Sequence, residues 1–272
     1  MMTSKLTRGF IYLAAAITFG SLFYVVGFIL IKGIPYLNLD MFAWKYTTDN
    51  VSLMPSLITT LIVVGMTLVI ATPIGVFTGF YLVEYAKKGN KVVEIVRIAT
   101  DTLAAVPSIV YGLFGMLFFV TFLNFQYSIL AGVLTSVIMV LPLIIRSTEE
   151  ALLAVNDSLR EASFALGAGK LRTIFRVILP VSMPGILSGV ILASGRVVGE
   201  TAALLYTLGS STNLPDSLFS SGRTLALHMY VLSSEGMHVN ESYATGVVLI
   251  VVVLMINGLS TFLSNRLTKG TK

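Results

Sequence analysis

The sequence predicts an all-α membrane protein with six transmembrane helices. The first observation is composition, because 56% of the 272 residues are apolar and only 11% are charged, against about 25% charged in ordinary soluble domains. The second is a series of long charge-free runs, since one helical span needs roughly 20 apolar residues. The third is that lysine and arginine are concentrated in alternate connections between those runs. We therefore expect lipid to be the main solvent of this chain.

Charge-free runs predict five of the six spans. Residues 9–31 and residues 242–265 are each long enough for one helix. Residues 50–83 predict one long helix with a kink at Pro73. Residues 102–145 cover about twice the length that one span needs, so they predict two helices joined by a turn at Asn124–Ser128.

Basic residues predict the orientation of the spans. With both termini in the cytoplasm, the inner segments contain 14 lysine and arginine residues and the outer segments contain three, as the positive-inside rule requires. The net charge of +5 is then a consequence of topology, and no nucleic-acid partner is expected. Cysteine is absent, which excludes disulfides and cysteine-based metal sites, and we expect no metal site of any other kind.

Two outer segments separate the spans. Residues 32–54 form a mainly polar loop that contains Trp44, the single tryptophan. Residues 208–243 are longer, and the stretch from Asp216 to Tyr230 predicts either a short amphipathic helix or an ordinary solvated connection. His228 and His238 lie in this segment without a partner at metal-ligand spacing, so both are expected at the surface.

The last predicted span, from about Met183 to Thr207, contains two charges. At 1.5 Å per residue, Arg196 lies roughly 20 Å along this helix and near mid-depth. A lone charge there costs at least about 2.5–3.5 kcal/mol, so it should have a reason to persist. Spacing of four residues predicts that Arg196 and Glu200 share one helix face.

Glycines indicate where this helix packs. Gly185 and Gly189 fall on the same stripe as Arg196, and small residues let helices approach closely. A second pair, Gly195 and Gly199, lies beside that stripe, and Gly75 with Gly79 forms a packing pair in the second span. We expect the face with Arg196 to point into the helix bundle.

The longest cytoplasmic connection, residues 146–182, contains a spaced motif. It consists of Glu161-Ala162-Ser163, Gly167 six residues after the glutamate, and then Val177, Leu179 and Pro180. Glycine predicts the end of a first helix at Gly167, and Pro180 predicts the end of a second helix, where the chain re-enters the membrane. This spacing resembles the EAA loop of ABC-transporter permeases, with serine for the third alanine and valine for an isoleucine.

The resemblance implies that this loop couples the chain to a separate ATPase. The residues that would do so are Glu161, Ala162, Gly167, Leu179 and Pro180. A cytoplasmic helical hairpin without a partner is the alternative.

Flanking motifs narrow the resemblance. Arg146-Ser-Thr-Glu149-Glu150 precedes the loop, Arg196-Val-Val-Gly199-Glu200-Thr201-Ala202 follows it, and Pro107-Ser-Ile-Val-Tyr111-Gly112 lies in the third span. Over about residues 55–265, the sequence is similar to the phosphate-specific permeases, particularly the PstA-type. Sulfate and molybdate permeases tend to have an aromatic residue in place of Thr201. Another oxyanion as cargo remains an alternative, as does a non-transporting membrane scaffold.

This resemblance implies a type I ABC importer permease fold in a bacterial or archaeal cell membrane. Its parts would be an N-terminal helix with the first external loop (1–54), the importer transmembrane domain (55–265) and a cytoplasmic tail (266–272). Its partners would be a homologous PstC-type permease, an ATPase dimer and an extracytoplasmic phosphate-binding protein. ATP and Mg would bind to the ATPase, and no cofactor to this chain.

Candidate residues for the substrate path follow from the same resemblance. Arg196 offers five donors to a phosphate oxyanion, and Glu200 would hold it when the path is empty. The alternative is a structural ion pair that fixes helix register. Ser108, Tyr111 and Thr201 either line a polar path or bond a helix carbonyl.

Enzyme motifs are not found in the sequence. Gly169-Lys170 resembles part of a P-loop, but Leu171 replaces the required Ser/Thr and Phe164 stands where the first glycine should be. Neither H-E-x-x-H nor G-x-S-x-G occurs. We therefore expect a transporter subunit without its own nucleotide site.

Overall fold

The structure is a computed structural model that describes residues 2–86 and 89–269. Within these residues the chain forms helices and no β-strand. The helices are α1 (Met2–Gly33), α2 (Met54–Tyr85), α3 (Lys91–Ala104), α4 (Ser108–Phe122), α5 (Ile129–Leu153), α6 (Asp157–Ala165), α7 (Lys170–Val198), α8 (Ala202–Leu205), α9 (Leu225–Glu235) and α10 (Val239–Lys269). The predicted inner residues Lys87 and Lys88, and residues 270–272 of the predicted tail, lie outside the described residues.

Five of the described helices, α1, α2, α5, α7 and α10, are long and apolar enough to cross a membrane. A sixth crossing requires α3 and α4 together, and these two helices are bent by 105° at their junction. Pro107 explains the bend, because its extended backbone (φ −61°, ψ 143°) directly precedes α4. The predicted all-α membrane fold is confirmed, and the third of its spans is a bent pair of helices.

Helix α5 lies at the centre of the bundle. Of the most apolar stretch of α5, 61% is buried within the chain, whereas none of the corresponding stretch of α1 is buried. On one side of α5, Gly75 and Gly79 of α2 contact Ile144 and Thr148 so closely that an added Cβ would lie 2.6 and 2.7 Å from them. The predicted glycine pair of the second span therefore packs α2 against α5.

On another side of α5, two glycines of α7 also make close approaches, and that of Gly189 is the closest of the four. A Cβ at Gly185 would lie 2.7 Å from the Ala151 Cβ, and a Cβ at Gly189 would lie 1.8 Å from Ser147 Oγ. The second predicted pair differs, because nothing lies within 4 Å of a Cβ added at Gly195. Only the first pair packs two helices of this chain together.

Helix α7 is continuous from Lys170 to Val198. The prediction that a separate helix ends at Pro180 is therefore wrong. In a regular helix the proline ring would clash with the carbonyl of the residue four positions earlier. Here that position falls in a π-helical turn, Ile174–Ile178, which is a wider form of helix that accommodates such a residue.

The segment between α7 and α10 folds back against the membrane helices. The backbone N–H of Leu225 donates to Thr60 Oγ1 at 2.8 Å, and a Cβ at Gly222 would lie 2.9 Å from Thr59 Cγ2. Five residues of α9 are buried, among them Leu227 and His228. The predicted stretch from Asp216 to Tyr230 thus divides into an exposed part, residues 216–219, and the start of a short helix whose first residues are buried.

The surface position predicted for His228 is also wrong. Its side chain is 0% exposed and lies edge-on to the ring of Tyr46, with 6.2 Å between centroids. Burial, and then the positive charge of Arg223, lower the pKa of His228 to about 3, so the imidazole is neutral at physiological pH. His238 is partly exposed and lies 3.8 Å from the Glu241 carboxylate.

Candidate translocation path and coupling loop

Arg196 lies two residues before the end of α7 and is half-buried. It lines a cavity of about 560 Å³ between α5, α7 and α10. The other residues that line it are Leu143, Ser188, Ile191, Leu192, Gly195 and Asn257. Within the described part of the chain, no carboxylate forms an ion pair with Arg196. Its guanidinium is thus a cation in an otherwise uncharged cavity.

Glu200 does not share a helix face with Arg196, and that prediction is wrong. Helix α7 ends at Val198, and Gly199 follows as its C-terminal cap. Glu200 is 7% exposed, and its Oε1 accepts a hydrogen bond of 2.9 Å from the backbone N–H of Ala203. The carboxylate satisfies a free N–H at the start of the short helix α8.

This position of Glu200 predicts a graded mutational response. Glu200→Gln keeps an oxygen that can accept from Ala203, so we expect the thermal stability of the purified protein to change little. Glu200→Ala removes the cap, and we expect a loss of about 1 kcal/mol. Thermal melting of the two variants measures this difference. Equal destabilisation by both substitutions would instead indicate that the charge of Glu200 is required.

Helix α8 packs on α4 through a second close approach. A Cβ at Gly112 would lie 2.8 Å from the Ala203 Cα, so only glycine lets the two backbones meet there. Next to it, Tyr111 is 4% exposed, and its hydroxyl donates to the Leu103 carbonyl at 2.7 Å. Of the two alternatives for Tyr111, the structure shows the bond to a helix carbonyl, across the bend between α3 and α4.

Thr201 and Ser108 do not line the cavity of Arg196. Thr201 is half-buried and lines a separate cavity of about 480 Å³, together with Tyr206 and residues of α9 and α10. Ser108 is the first residue of α4 and is half-buried. Thr201 and Arg196 therefore line different cavities, and Arg196 is the charged residue of the two.

The residues of the spaced cytoplasmic motif also divide into two groups. Glu161 and Ala162 are exposed on α6, which has no buried side chain. Gly167 has a φ of +80°, as predicted for a helix-ending glycine. Leu179 and Pro180 are half-buried within α7. Glu161, Ala162 and Gly167 thus belong to an exposed element formed by α6 and the turn after it. Leu179 and Pro180 lie in a membrane helix.

The exposed element presents apolar side chains to solvent. Leu166 is 89% exposed, Phe164 is 48% exposed and Leu159 is 40% exposed. An apolar surface on a short, charged helix is typical of a protein-protein contact. This arrangement can serve as a docking surface.

Sequence reasoning missed two sets of ion pairs near this element. Arg160 pairs with Glu84 across 76 positions of sequence, which no local pattern could have indicated. Arg97 pairs with Glu149, and Arg146 pairs with Asp101, so that α3 is held against α5. In the sequence, Arg97 and Arg160 were visible only as basic charges, and Arg146 only as part of a flanking motif.

Comparison with known proteins identifies the family. A family model described as the binding-protein-dependent transport system inner membrane component matches residues 71–271. The probable ABC transporter permease protein YqgI of Bacillus subtilis is 34% identical over 98% of this chain and 97% of its own length. The phosphate transport system permease protein PstA 1 of Mycobacterium tuberculosis is 39% identical over 73% of this chain and 66% of its own. The phosphate transport system permease protein PstA of Haemophilus influenzae is 35% identical over 75% of this chain and 72% of its own length.

Solved structures agree on the fold. A bacterial ABC transporter that imports the acidic polysaccharide alginate is 15% identical, with a TM-score of 0.67 over 98% of this chain and 99% of that chain. The MetNI methionine ABC transporter is 19% identical, with a TM-score of 0.56 over 80% of this chain and 93% of that chain. At these identities the likeness concerns the fold alone. Together with the family match and the PstA relatives, it means that this chain belongs to the inner membrane permeases of binding-protein-dependent ABC transporters and is of the PstA type.

Proposed function

We propose that this chain is one of two permease subunits of an ATP-driven importer of inorganic phosphate. The observation that carries the proposal is Arg196, a half-buried arginine in a cavity, without an ionic partner among the described residues. Its N–H donors are available to an oxyanion, and guanidinium–phosphate bonds are among the strong charge-assisted hydrogen bonds. The similarity to PstA phosphate permeases favours phosphate over another oxyanion.

The roles of the remaining path residues follow from their positions. Thr201 lines the neighbouring cavity and would offer its hydroxyl to the anion before or after Arg196 does. Ser108 would do so from the start of α4. Glu200 and Tyr111 act on the shape of the path, because Glu200 caps α8 and Tyr111 fixes the bend between α3 and α4.

Coupling to ATP requires a partner chain. In this proposal α6 and Gly167 dock into a separate ATPase dimer, which binds ATP and Mg, while this chain holds no nucleotide site of its own. The exposed Leu159, Phe164 and Leu166 supply the apolar part of that contact. The two termini and α6 then face the cytoplasm, in agreement with the distribution of basic residues.

Two further partners complete the importer. A PstC-type permease would close the cavity around Arg196 from the other side, and an extracytoplasmic binding protein would deliver phosphate to its outer mouth. Closure of the ATPases would turn the path outward, and hydrolysis would turn it inward.

The experiment is ATP hydrolysis by the complex reconstituted in lipid with its binding protein. We expect phosphate to stimulate hydrolysis and to accumulate in the vesicles, and sulfate and molybdate to do neither. A complex without the binding protein is the control, in which no phosphate stimulation is expected. Stimulation by sulfate or molybdate would assign another oxyanion, and hydrolysis without uptake of any of the three would contradict a transport function.

A further inference from the structure

We infer that Arg160 is the positioning residue that fixes the coupling helix α6 to the membrane helices α2 and α5. The expected effect on transport rests on the proposed function. The anchoring of α6 by Arg160 rests only on the described contacts of this chain.

The guanidinium of Arg160 makes five hydrogen bonds, the number of its N–H donors. Its Nε and Nη2 donate to Glu84 Oε1 at 3.1 and 2.9 Å. Its Nη1 donates to the Val155 carbonyl and to the Asp157 carboxylate, both at 2.9 Å. Its Nη2 also donates to the Leu152 carbonyl at 3.0 Å. One side chain thus joins α6 to the last turn of α2 and to the C-terminal end of α5.

This site is largely shielded from water. The side chain of Arg160 is 15% exposed and that of Glu84 is 10% exposed. Salt screens such a pair much less than it screens a surface pair. The Leu152 and Val155 carbonyls lie at the C-terminal end of α5, where the helix dipole favours a cation. Lysine could not replace Arg160, because its three donors would leave part of this network unpaired.

Helix α6 has little other attachment to the bundle. None of its side chains is buried. A second polar contact joins Ser163 Oγ to Thr173 Oγ1 at 2.8 Å, and it leads to the start of α7. Among the hydrogen bonds of the described residues, those of Arg160 connect α6 with α2 and α5.

The route of motion follows from these contacts. Helices α2 and α5 pack tightly through Gly75 and Gly79, so they move as a pair. A displacement of α6 by a docked ATPase would reach this pair through Arg160, in addition to the backbone connections of α6 to α5 and to α7. Without Arg160, α6 loses its hydrogen bonds to α2 and remains joined to α5 by the backbone of residues 154–156.

The test is the ratio of phosphate transported to ATP hydrolysed in the reconstituted complex. For Arg160→Gln we expect the ATPase to remain bound and ATP hydrolysis to continue, while the ratio falls at least about tenfold, because a buried pair has lost one partner. Glu84→Gln keeps an oxygen acceptor for the guanidinium, so we expect a smaller fall than for Glu84→Ala. Arg176→Gln is the matched control, since Arg176 is an exposed arginine of the same cytoplasmic connection, residues 146–182, and the ratio for this variant should equal that of the wild type.

A second measurement does not depend on the substrate. Hydrogen exchange of the α6 amides in the same complex should become faster in Arg160→Gln and stay unchanged in Arg176→Gln. An unchanged ratio, unchanged exchange or loss of the ATPase from the purified complex would each overturn the inference. If the wild-type complex fails to transport phosphate but exchange in α6 still responds to Arg160→Gln, the proposed function fails and the anchoring of α6 stands.

Discussion

Replacement of Arg196 by glutamine is expected to reduce phosphate uptake by the assembled importer at least about 100-fold. A hydrogen bond to a charged group contributes about 1.5–3 kcal/mol, and a guanidinium can make two such bonds to one phosphate. Each 1.4 kcal/mol corresponds to a factor of ten, so the loss of both bonds gives about this reduction or more. Uptake of labelled phosphate into vesicles that contain the purified complex measures it.

Two controls separate this effect from misfolding. Arg196→Gln removes a charge that has no ionic partner in the described chain, so the complex should still assemble and melt at the wild-type temperature. Arg196→Lys keeps the charge but not the bidentate geometry. Its phosphate uptake should therefore lie between that of the wild type and that of Arg196→Gln. Full uptake by Arg196→Gln would remove Arg196 from the substrate path.

The second large effect is expected at the contact of α7 with α5. Gly189→Ala places a methyl group 1.8 Å from Ser147 Oγ, where real carbon atoms are never found. Overpacking of this kind costs about 1–3 kcal/mol, so we expect a lower melting temperature and less assembled complex. Thermal melting of the purified complex in detergent measures the change.

The same helix offers a matched control for this substitution. Nothing lies within 4 Å of a Cβ added at Gly195, and alanine favours a helix over glycine by about 1 kcal/mol. Gly195→Ala should therefore leave the melting temperature unchanged or raise it. Ser147→Gly should restore stability to Gly189→Ala, because it removes the atoms that clash. Equal melting of Gly189→Ala and Gly195→Ala would contradict the packing described here.

The predictable part of the fold is the part that depends on local sequence. Five spans followed from runs of apolar residues, because each such run must satisfy its backbone bonds internally in lipid. Gly167 followed in the same way, since a positive φ is easily adopted by glycine. The packing of Gly75 and Gly79 was expected, although the partner helix was not.

The mistakes arose where the local backbone departs from a regular helix or where distant residues decide the packing. The pairing of Arg196 with Glu200 assumed that the helix continues, whereas it ends at Val198 and the carboxylate of Glu200 accepts a hydrogen bond from the backbone N–H of Ala203. Proline at position 180 predicted a break, but a π-helical turn in front of it relieves the clash. The burial of His228 depends on packing against Tyr46, which no periodicity in α9 reveals.

The 105° bend at Pro107 has a consequence for how this chain enters the membrane. At 1.5 Å per residue, α4 is only about 22 Å long, which is shorter than the roughly 30 Å of hydrocarbon. Helix α4 alone is therefore a poor substrate for insertion by the translocon. Helix α5 follows after a short turn, and Gly115 allows the two to pack, because its Cβ would lie 2.3 Å from Thr135 Oγ1. The two helices should accordingly partition into lipid together, as one hairpin, after α5 has been synthesised.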